Sequence, residues 1–242
     1  MKKNILFVCL GIIILYFSSC EERVIKGEGN VGTITAKVPS FKAIQVELPL
    51  KLVVTIQKGA QPSVKFTGYS NFLLHIKTKV EDNMLFISSD MDNRMAMDSK
   101  TVVAEITIPQ LTELYLSSTA DADIHGTVTD KTFKAEVIGK SNVTIDDIVT
   151  DDFSYTASGA AAVEIKGGTA RIATYAIDEG CFVKAFPLET KEVSITVKGA
   201  GHCEVTALKK LSTSVAASGS VKYKGHPSIL KNPQGGTIND AN

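Results

Sequence analysis

The sequence predicts an all-β protein, a right-handed parallel β-helix or solenoid with coils of about 20 residues, preceded by an irregular amino-terminal β-sheet region. Two observations support this prediction. Apolar positions recur with a spacing of 20 residues, and each copy contains two alternating runs separated by a corner of small residues. A fixed repeat of this length indicates stacked units, each of which buries its apolar side only against its neighbours.

The corner residues show the repeat most clearly. They are Gly139, Gly159, Glu179, Gly199 and Gly219, each 20 residues after the one before. Strict alternation of apolar and polar residues on either side indicates strands with one buried face. The same spacing predicts one buried column of Tyr155, Tyr175, Ile195 and Val215, and a second of Val143, Val163, Val183, Cys203 and Tyr223.

Each copy has a third apolar position beyond its second run. The residues at this position are Val128, Ile148, Leu188, Leu208 and Ile229. Twenty residues of extended chain give a perimeter of about 66 Å, enough for three short sides around a filled interior. We therefore predict three strands per coil.

The region 28–110 is also strand-like but does not follow the repeat. Its alternating runs are separated by turn formers such as Lys58-Gly59 and Asp82-Asn83. These spacings favour hairpins and a small sheet that begins or caps the solenoid. The predicted organisation is thus a β region over 28–110 and solenoid repeats over 111–238, which together form one continuous domain.

The amino terminus predicts export. A basic start is followed by an apolar run from Ile5 to Phe17 and by Ser18-Ser19-Cys20, a pattern typical of a secretory signal peptide over residues 1–19. The small residues before Cys20 resemble the lipobox of bacterial lipoproteins. That resemblance implies acylation of Cys20, which then begins the mature chain, and a linker over residues 20–27. A soluble secreted protein cleaved near Cys20 is the alternative.

Charge and cysteine content exclude some classes of function. Without Lys2 and Lys3 the chain keeps 24 basic and 26 acidic side chains. This balance lacks the basic footprint that nucleic-acid binding needs. Cys181 and Cys203 remain in an oxidising compartment, where a disulfide is permitted. Because their positions in the repeat differ by two residues, we expect two buried free thiols.

Several segments in order resemble the putative auto-transporter adhesin, head GIN domain family. They are Gly27-Glu28-Gly29-Asn30, Phe41-Lys42-Ala43-Ile44, Val54-Thr55-Ile56-Gln57-Lys58-Gly59, Asn71-Phe72-Leu73-Leu74, Ile76-Lys77-Thr78-Lys79-Val80, Leu85-Phe86-Ile87 and Ile108-Pro109-Gln110-Leu111. The resemblance covers roughly residues 25–238. It implies a β-solenoid in an exported protein, often a lipoprotein, with an adhesin-like role and no established catalytic residues.

The sequence shows no catalytic constellation, metal site or cofactor site. His125 and His226 share a repeat position but are predicted to lie about 24 Å apart, too far for one metal ion. The outward ladder of the second run alternates in sign through Asp123, Thr144, Glu164, Lys184, Glu204 and Lys222. Glycoside cleavage needs two carboxylates close together. This ladder is therefore interpreted as a solvated surface.

The outward side of the first run differs, because it is uncharged and small over four coils. Its predicted ladders are Ser154, Thr174, Ser194, Ser214 and Thr156, Ala176, Thr196, Ala216. One interpretation is that hydroxyl ladders stabilise the stacked coils. The other is a flat interface that a partner protein or the amino-terminal half covers.

The sequence therefore predicts a non-enzymatic, lipid-anchored envelope protein that displays a solenoid for contact with a protein or a surface. A glycan-binding module is the alternative, and a polysaccharide lyase or hydrolase on a β-helix is the second. The expected location is the outer membrane, facing the periplasm or the cell surface. The expected partners are the membrane, through Cys20, and a protein or glycan not identified by the sequence; self-association remains open.

Overall fold

The computed structural model describes residues 23–91, 95–97, 101–216 and 218–242 and is almost entirely β. A single short helix, α1 (Ser70–Leu73), occurs in these ranges. The strands of the amino-terminal half are β1 (Arg23–Ile25), β2 (Val31–Ala36), β3 (Ala43–Val46), β4 (Lys51–Ile56), β5 (Ser63–Tyr69), β6 (Ile76–Glu81), β7 (Met84–Ser89), β8 (Met95–Met97) and β9 (Val103–Ile108). The later strands are β10 (Glu113–Leu116), β11 (Asp121–Gly139), β12 (Asn142–Gly159), β13 (Ala162–Ile165), β14 (Gly168–Ile177), β15 (Phe182–Val197), β16 (His202–Ala216), β17 (Ser220–Lys224), β18 (Ser228–Gln234) and β19 (Thr237–Asp240).

The repeats form a β-solenoid of about six turns, which confirms the predicted fold class. Val143 pairs with Val163 and Val163 with Val183, each in a parallel ladder 20 residues further along the chain. Neighbouring coils therefore lie in register, and equivalent side chains form columns along one axis.

Long strands bend around the corners of each coil, and β12 shows the arrangement. Residues 152–159 lie on what we call the first side, 142–146 on the second side and 147–150 on the third side. The first side stacks nine layers, in the order β7, β3, β10, β11, β12, β14, β15, β16 and β18. Eight spacings of about 4.8 Å give a stack about 38 Å long.

The corner between the first and second sides holds a left-handed backbone column. Ser118, Gly139, Gly159 and Glu179 have φ values of 79°, 102°, 90° and 53°. A Cβ atom built on Gly159 would lie 2.7 Å from the carbonyl oxygen of Gly139 in the preceding coil. Glycine at this corner therefore allows both the turn and the close approach of stacked backbones.

Aromatic side chains fill the centre of the stack. The rings of Phe133 and Phe153 are stacked with centroids 5.7 Å apart, and Phe153 meets Tyr175 edge-on at 5.8 Å. Tyr155 is fully buried, and its hydroxyl has no hydrogen-bond partner. Burial raises the pKa of Tyr155 far above its usual value, so the phenol stays neutral.

The strict 20-residue register is wrong after β15. Val183 pairs with Cys203, but Ile195 pairs with Thr213 and Cys203 with Val221, so the next coil advances by 18 residues. Tyr223 accordingly lies beside Val205, not in the column of Cys203.

Two changes in β15 and β16 produce the shorter coil. Residues 186–188 of β15 have no ladder partner in β16, whereas β16 has one residue more than β15 between Ala207 and Lys210, so the net shortening is two residues. The prediction that Leu208 is a buried third-side residue is also wrong. Leu208 is 44% exposed, whereas Leu188 and Ala207 are buried.

The amino-terminal half joins the same 17-stranded sheet in two ways. β3 and β4 pair in parallel with β10 and β11 on one side and with β7 and β9 on the other, which continues the stack. Antiparallel pairs join β2 with β5, β5 with β9 and β6 with β7. Of these only β6–β7 is a hairpin of the predicted kind, and the hairpin expected at Lys58-Gly59 is wrong, because β4 pairs with β9 and β11 instead of β5. Asp82 and Asn83 both have positive φ at the β6–β7 turn, as a tight two-residue hairpin requires.

Candidate functional site

The outward side of the first strands carries the residues that the sequence predicted as an interface, and the structure corrects their register. One column runs Ser154, Thr174, Ser194, Ser212 and the next runs Thr156, Ala176, Thr196, Ser214. Ser214 therefore moves by one column, and Ala216 pairs with Gln234 outside both. We call these eight residues the hydroxyl face. The correction leaves the surface uncharged, because a shift of two residues brings one small side chain into the place of another.

The hydroxyl face is open to solvent, and the amino-terminal half lies at the end of the stack rather than over it. Thr156, Thr174 and Ser194 are exposed, and the other five side chains are half-buried. Among the residues that the structure describes, no hydrogen bond links the hydroxyls of one column to each other. The ladder is thus held by backbone pairing, which leaves these hydroxyls available to a partner.

Columns of mixed character border the hydroxyl face. One flank is formed by Asp152, Ile172, Glu192 and Lys210, and the other by Ser158, Asp178 and Lys198. The cores of protein interfaces are likewise depleted in charge, but they are enriched in aromatic side chains, which the hydroxyl face lacks.

Two depressions of about 180 Å³ each lie at opposite ends of the hydroxyl face. One is lined by Gln45, Tyr115, Glu136 and Ile138, and the other by Ser194, Thr196, Ser212, Ser214 and Leu230. Ile138 and Leu230 are 49% and 64% exposed. Their layers are five spacings apart, about 24 Å. Exposed apolar residues at both ends were not part of the sequence prediction, because each lies at an otherwise polar position.

The second side carries the alternating charges that the sequence predicted. The ladder Asp123, Thr144, Glu164, Lys184, Glu204, Lys222 is continuous through six coils. Asp123 pairs with Lys51 at 3.1 Å, and Glu204 with Lys222 at 3.3 Å.

The next outward column is also paired. His125 Nδ1 and Lys166 Nζ lie 3.0 Å and 3.1 Å from the carboxylate of Asp146. The hydrogen bond from His125, with a further contribution from Lys166, lowers the pKa of Asp146. This carboxylate therefore stays ionised.

No group of three or more potential metal ligands occurs among the described residues. His75 is paired with Asp90, and His202 contacts the hydroxyl of Ser220. In the part of the chain with described coordinates, no helix is long and apolar enough to span a membrane. Cys20, the predicted lipidation site, lies outside the described residues.

The two remaining cysteines are free and buried, as the repeat positions predicted. Cys181 lies at the corner with its thiol 3.8 Å from the carbonyl oxygen of Gly159, and Cys203 lies inside the second side. Burial raises the pKa of both thiols. Neither sulfur has the exposed, electropositive setting of a reactive cysteine.

Neither Tyr115 nor Tyr223 is well placed to act as a stacking platform for a sugar ring. Tyr223 is buried, and its hydroxyl bonds to Asp240. Tyr115 donates to Glu113, accepts from Lys134 and has the ammonium of Lys134 4.8 Å above its ring. The ring of Phe182 is 50% exposed instead.

Comparison with known proteins places the fold in a family. A family model described as putative auto-transporter adhesin, head GIN domain matches residues 40–227. No curated protein matches the chain. The chain is similar to a solved putative adhesin of Bacteroides fragilis, with 25% identity, a TM-score of 0.83 and coverage of 89% of this chain and 99% of that one.

Two solved proteins of Parabacteroides distasonis share the fold. One, a putative adhesin, is 20% identical with a TM-score of 0.73 and coverage of 90% and 100%. The other, a putative lipid binding protein, is 19% identical with a TM-score of 0.72 and coverage of 91% and 100%. Because the family model spans most of the sequence, the chain belongs to the putative auto-transporter adhesin, head GIN domain family, which supports an adhesin-like, non-enzymatic role.

Proposed function

We propose that the protein is a lipid-anchored scaffold of the cell envelope whose first side binds a partner protein. The observation that carries the proposal is the hydroxyl face, an uncharged surface four coils long, with charged side chains in the columns on either side. Removing small hydroxyls and methyls from water costs less than removing charges. A partner therefore gains contact here at a low desolvation cost.

Membership of an adhesin family supports contact as the function. The rigid stack supports display, because each coil is fixed by the backbone pairing of its neighbours.

Attachment through Cys20 would hold the amino-terminal end of the stack close to the membrane. The side chain of Asn71 accepts from the N–H of Glu28 and donates to the carbonyl oxygen of Lys26, both at 2.9 Å, which ties this segment to α1. Lys26 follows Cys20 by six positions, which span at most about 20 Å. The hydroxyl face begins about 19 Å from the β7 layer and ends about 34 Å from it. An anchored molecule would thus carry this face away from the lipid.

The size of the surface decides how much of it a partner must use. The hydroxyl face measures about 19 Å by 13 Å, about 250 Å². A stable interface buries about 800 Å² on each partner. The whole first side, about 38 Å by 20 Å, approaches that area. The partner is therefore expected to cover Ile138 and Leu230 as well, with the hydroxyl face at the centre.

The test is a double substitution at the centre of the hydroxyl face. Thr174→Arg together with Thr196→Arg adds two charges and two long side chains to adjacent columns. We expect it to abolish cross-linking of the acylated protein to its envelope partner, or to a second copy, without changing the melting temperature. Thr169→Arg, an exposed threonine on the third side, is the matched control and should leave cross-linking intact.

Unchanged cross-links and unchanged oligomer size in the double variant would show that this face is not the contact surface. Loss of cross-links in the Thr169→Arg control as well would equally reject a role specific to the first side.

A further inference from the structure

A notch on the second side combines features of a ligand site and lies away from the first side. It has a volume of about 130 Å³. We call the six outward residues that line it the notch; they are Asn142, Thr144, Ala162, Glu164, Phe182 and Lys184. Its floor is formed by Val143 and Val163, which are buried parts of the core.

The notch exists because a small residue separates two larger ones in one column. Asn142 pairs with Ala162 and Ala162 with Phe182 on successive coils. The outer two lie two spacings apart, about 9.6 Å, and the methyl group of Ala162 leaves the space between them empty. Asn142 is fixed at one wall, since its backbone N–H and its side-chain nitrogen both donate to Asp121 at 2.9 and 3.0 Å. Its amide oxygen therefore remains available as an acceptor.

Phe182 forms the opposite wall. Half of its surface is exposed, although burying an apolar ring away from water is favourable. The His202 ring lies 6.0 Å away on its far side, tilted by 59°, which supports the ring from the next coil. The other face of the ring is left to the notch.

The two charged side chains at the notch also differ from other charges of the second side, because in the described part of the chain they are not ion-paired. Asp123, Asp146 and Glu204 each have a lysine partner within 3.3 Å. Glu164 and Lys184 are neighbours in the same ladder, yet neither has an ion-pair partner among the described residues. An acceptor and a donor thus stand unpaired at the rim of an aromatic-walled notch.

The geometry points to a binding site for a neutral pyranose sugar at the end or along the side of a glycan chain. A pyranose has an apolar C–H face, which suits the ring of Phe182, and hydroxyls around its edge. The carboxylate of Glu164 would accept from those hydroxyls, the Asn142 amide oxygen would accept another, and the Lys184 ammonium would donate. Ligand sites generally combine an apolar platform with a few placed polar groups in this way.

The affinity of one notch is expected to be low, because its volume of about 130 Å³ holds no more than one sugar ring and it stays open to solvent. A dissociation constant in the millimolar range corresponds to about −4 kcal/mol. Many copies displayed on one envelope would bind a repeating glycan much more tightly through avidity. The site is separate from the protein contact proposed for the first side and does not depend on it.

The experiment is a titration of the mature protein with methyl glycosides of glucose, galactose and mannose and with N-acetylglucosamine. Chemical shifts of the amides of residues 142–144, 162–164 and 182–184 are followed by NMR. At least one sugar should give saturable shifts at these positions. Phe182→Ala and, separately, Ala162→Leu, which fills the notch, should each weaken binding at least tenfold. Glu164→Gln should weaken it by a similar factor, because a hydrogen bond to a carboxylate is stronger than one to a neutral amide oxygen.

Two controls separate this proposal from the first. Leu208→Ala removes another exposed apolar side chain, 44% exposed, and should leave the titration unchanged. The Thr174→Arg and Thr196→Arg double variant should also bind sugar normally. No saturable shifts with any of the four sugars, shifts centred elsewhere, or shifts that survive both Phe182→Ala and Ala162→Leu in folded protein would each overturn the proposal.

Discussion

Substitution of Gly168 by alanine tests the close stacking of coils, because this residue lies against the backbone of the coil before it. Gly168 has a φ of 116°, which residues with a Cβ atom rarely adopt, and it pairs with Ile148 in the parallel ladder. A Cβ atom built here would lie 2.0 Å from the carbonyl oxygen of Ile148 and 2.6 Å from its nitrogen. Neither backbone atom can rotate away. The two strands must therefore separate by more than 1 Å before the Cβ atom reaches an ordinary van der Waals contact with this oxygen, which begins at 3.4 Å.

That separation lowers the free energy of unfolding through the backbone conformation and through lost hydrogen bonds. The unfavourable backbone conformation costs about 1–2 kcal/mol for a non-glycine residue. The hydrogen bond from Ile148 N–H to the Gly167 carbonyl oxygen, at 3.2 Å, is lost on separation. That bond and a neighbouring one contribute about 0.5–1.5 kcal/mol each. We therefore expect Gly168→Ala to lower the free energy of unfolding by about 3 kcal/mol and the melting temperature by roughly 6–12 °C.

Gly180→Ala is the matched control. Its φ lies outside the left-handed region, and the closest heavy atom to a built Cβ is the Gly159 oxygen at 3.9 Å. This change should be neutral or stabilising by about 0.4–1 kcal/mol, since alanine restricts the unfolded chain. Urea denaturation and thermal melts of the mature protein measure both variants. Equal effects of the two substitutions would refute the argument that stacked backbones meet at Gly168.

Three further predictions concern groups inside the stack and on its surface. Tyr155→Phe removes a buried hydroxyl without a partner, so the free energy of unfolding measured in urea should rise by about 1 kcal/mol. A fall of that size would mean that the hydroxyl is hydrogen-bonded in the folded protein. The lowered pKa of Asp146 adds stability that is present at neutral pH and is lost as the pH falls through that lowered pKa, below the usual value of about 3.9. Asp146→Asn should therefore reduce the free energy of unfolding at pH 7 by less than about 1 kcal/mol, with a smaller effect at low pH and in high salt. An effect that grows on acidification would contradict the pairing of the ionised Asp146 carboxylate with His125 and Lys166. Cys181 and Cys203 should resist iodoacetamide in the folded protein and react once it is unfolded in urea, because burial raises the pKa of both thiols; rapid labelling of either in the native state would show that it is accessible.

The sequence predicted the columns of the central coils because every coil there has the same length. Tyr155, Tyr175 and Ile195 fall at one repeat position, and the structure stacks them in that order. The next step fails for a physical reason. Gly199 and Gly219 keep the 20-residue spacing, but Gly219 follows an 18-residue coil and its neighbour Ser220 bonds to Gly201. Small residues at both corner positions tolerate either register, so the glycine pattern could not reveal the shorter coil.

The arrangement of the amino-terminal half could not be read from a fixed period. Ile44 stacks on Leu114, 70 residues later, because the intervening segment supplies the next layer and the antiparallel strands beside it. The alternation of Phe41–Leu48 predicts a strand but does not say which strand lies beside it.

The notch could not be predicted from the sequence for a related reason. Ala162 and Phe182 each look ordinary in their own strand, and only their stacking shows that a gap lies beside an exposed ring.

The register of the hydroxyl face follows from the same measurement that tests the stack itself. In protein with labelled isoleucine and valine methyl groups, nuclear Overhauser effects report which buried side chains are in contact. The structure predicts cross-peaks between Val143 and Val163, between Val163 and Val183, and between Val197 and Val215. A cross-peak from Val215 to Ile195 in place of Val197 would restore the 20-residue register and undo the corrected hydroxyl face. Absence of both the Val143–Val163 and the Val163–Val183 cross-peaks would contradict the parallel stack on which the whole account rests.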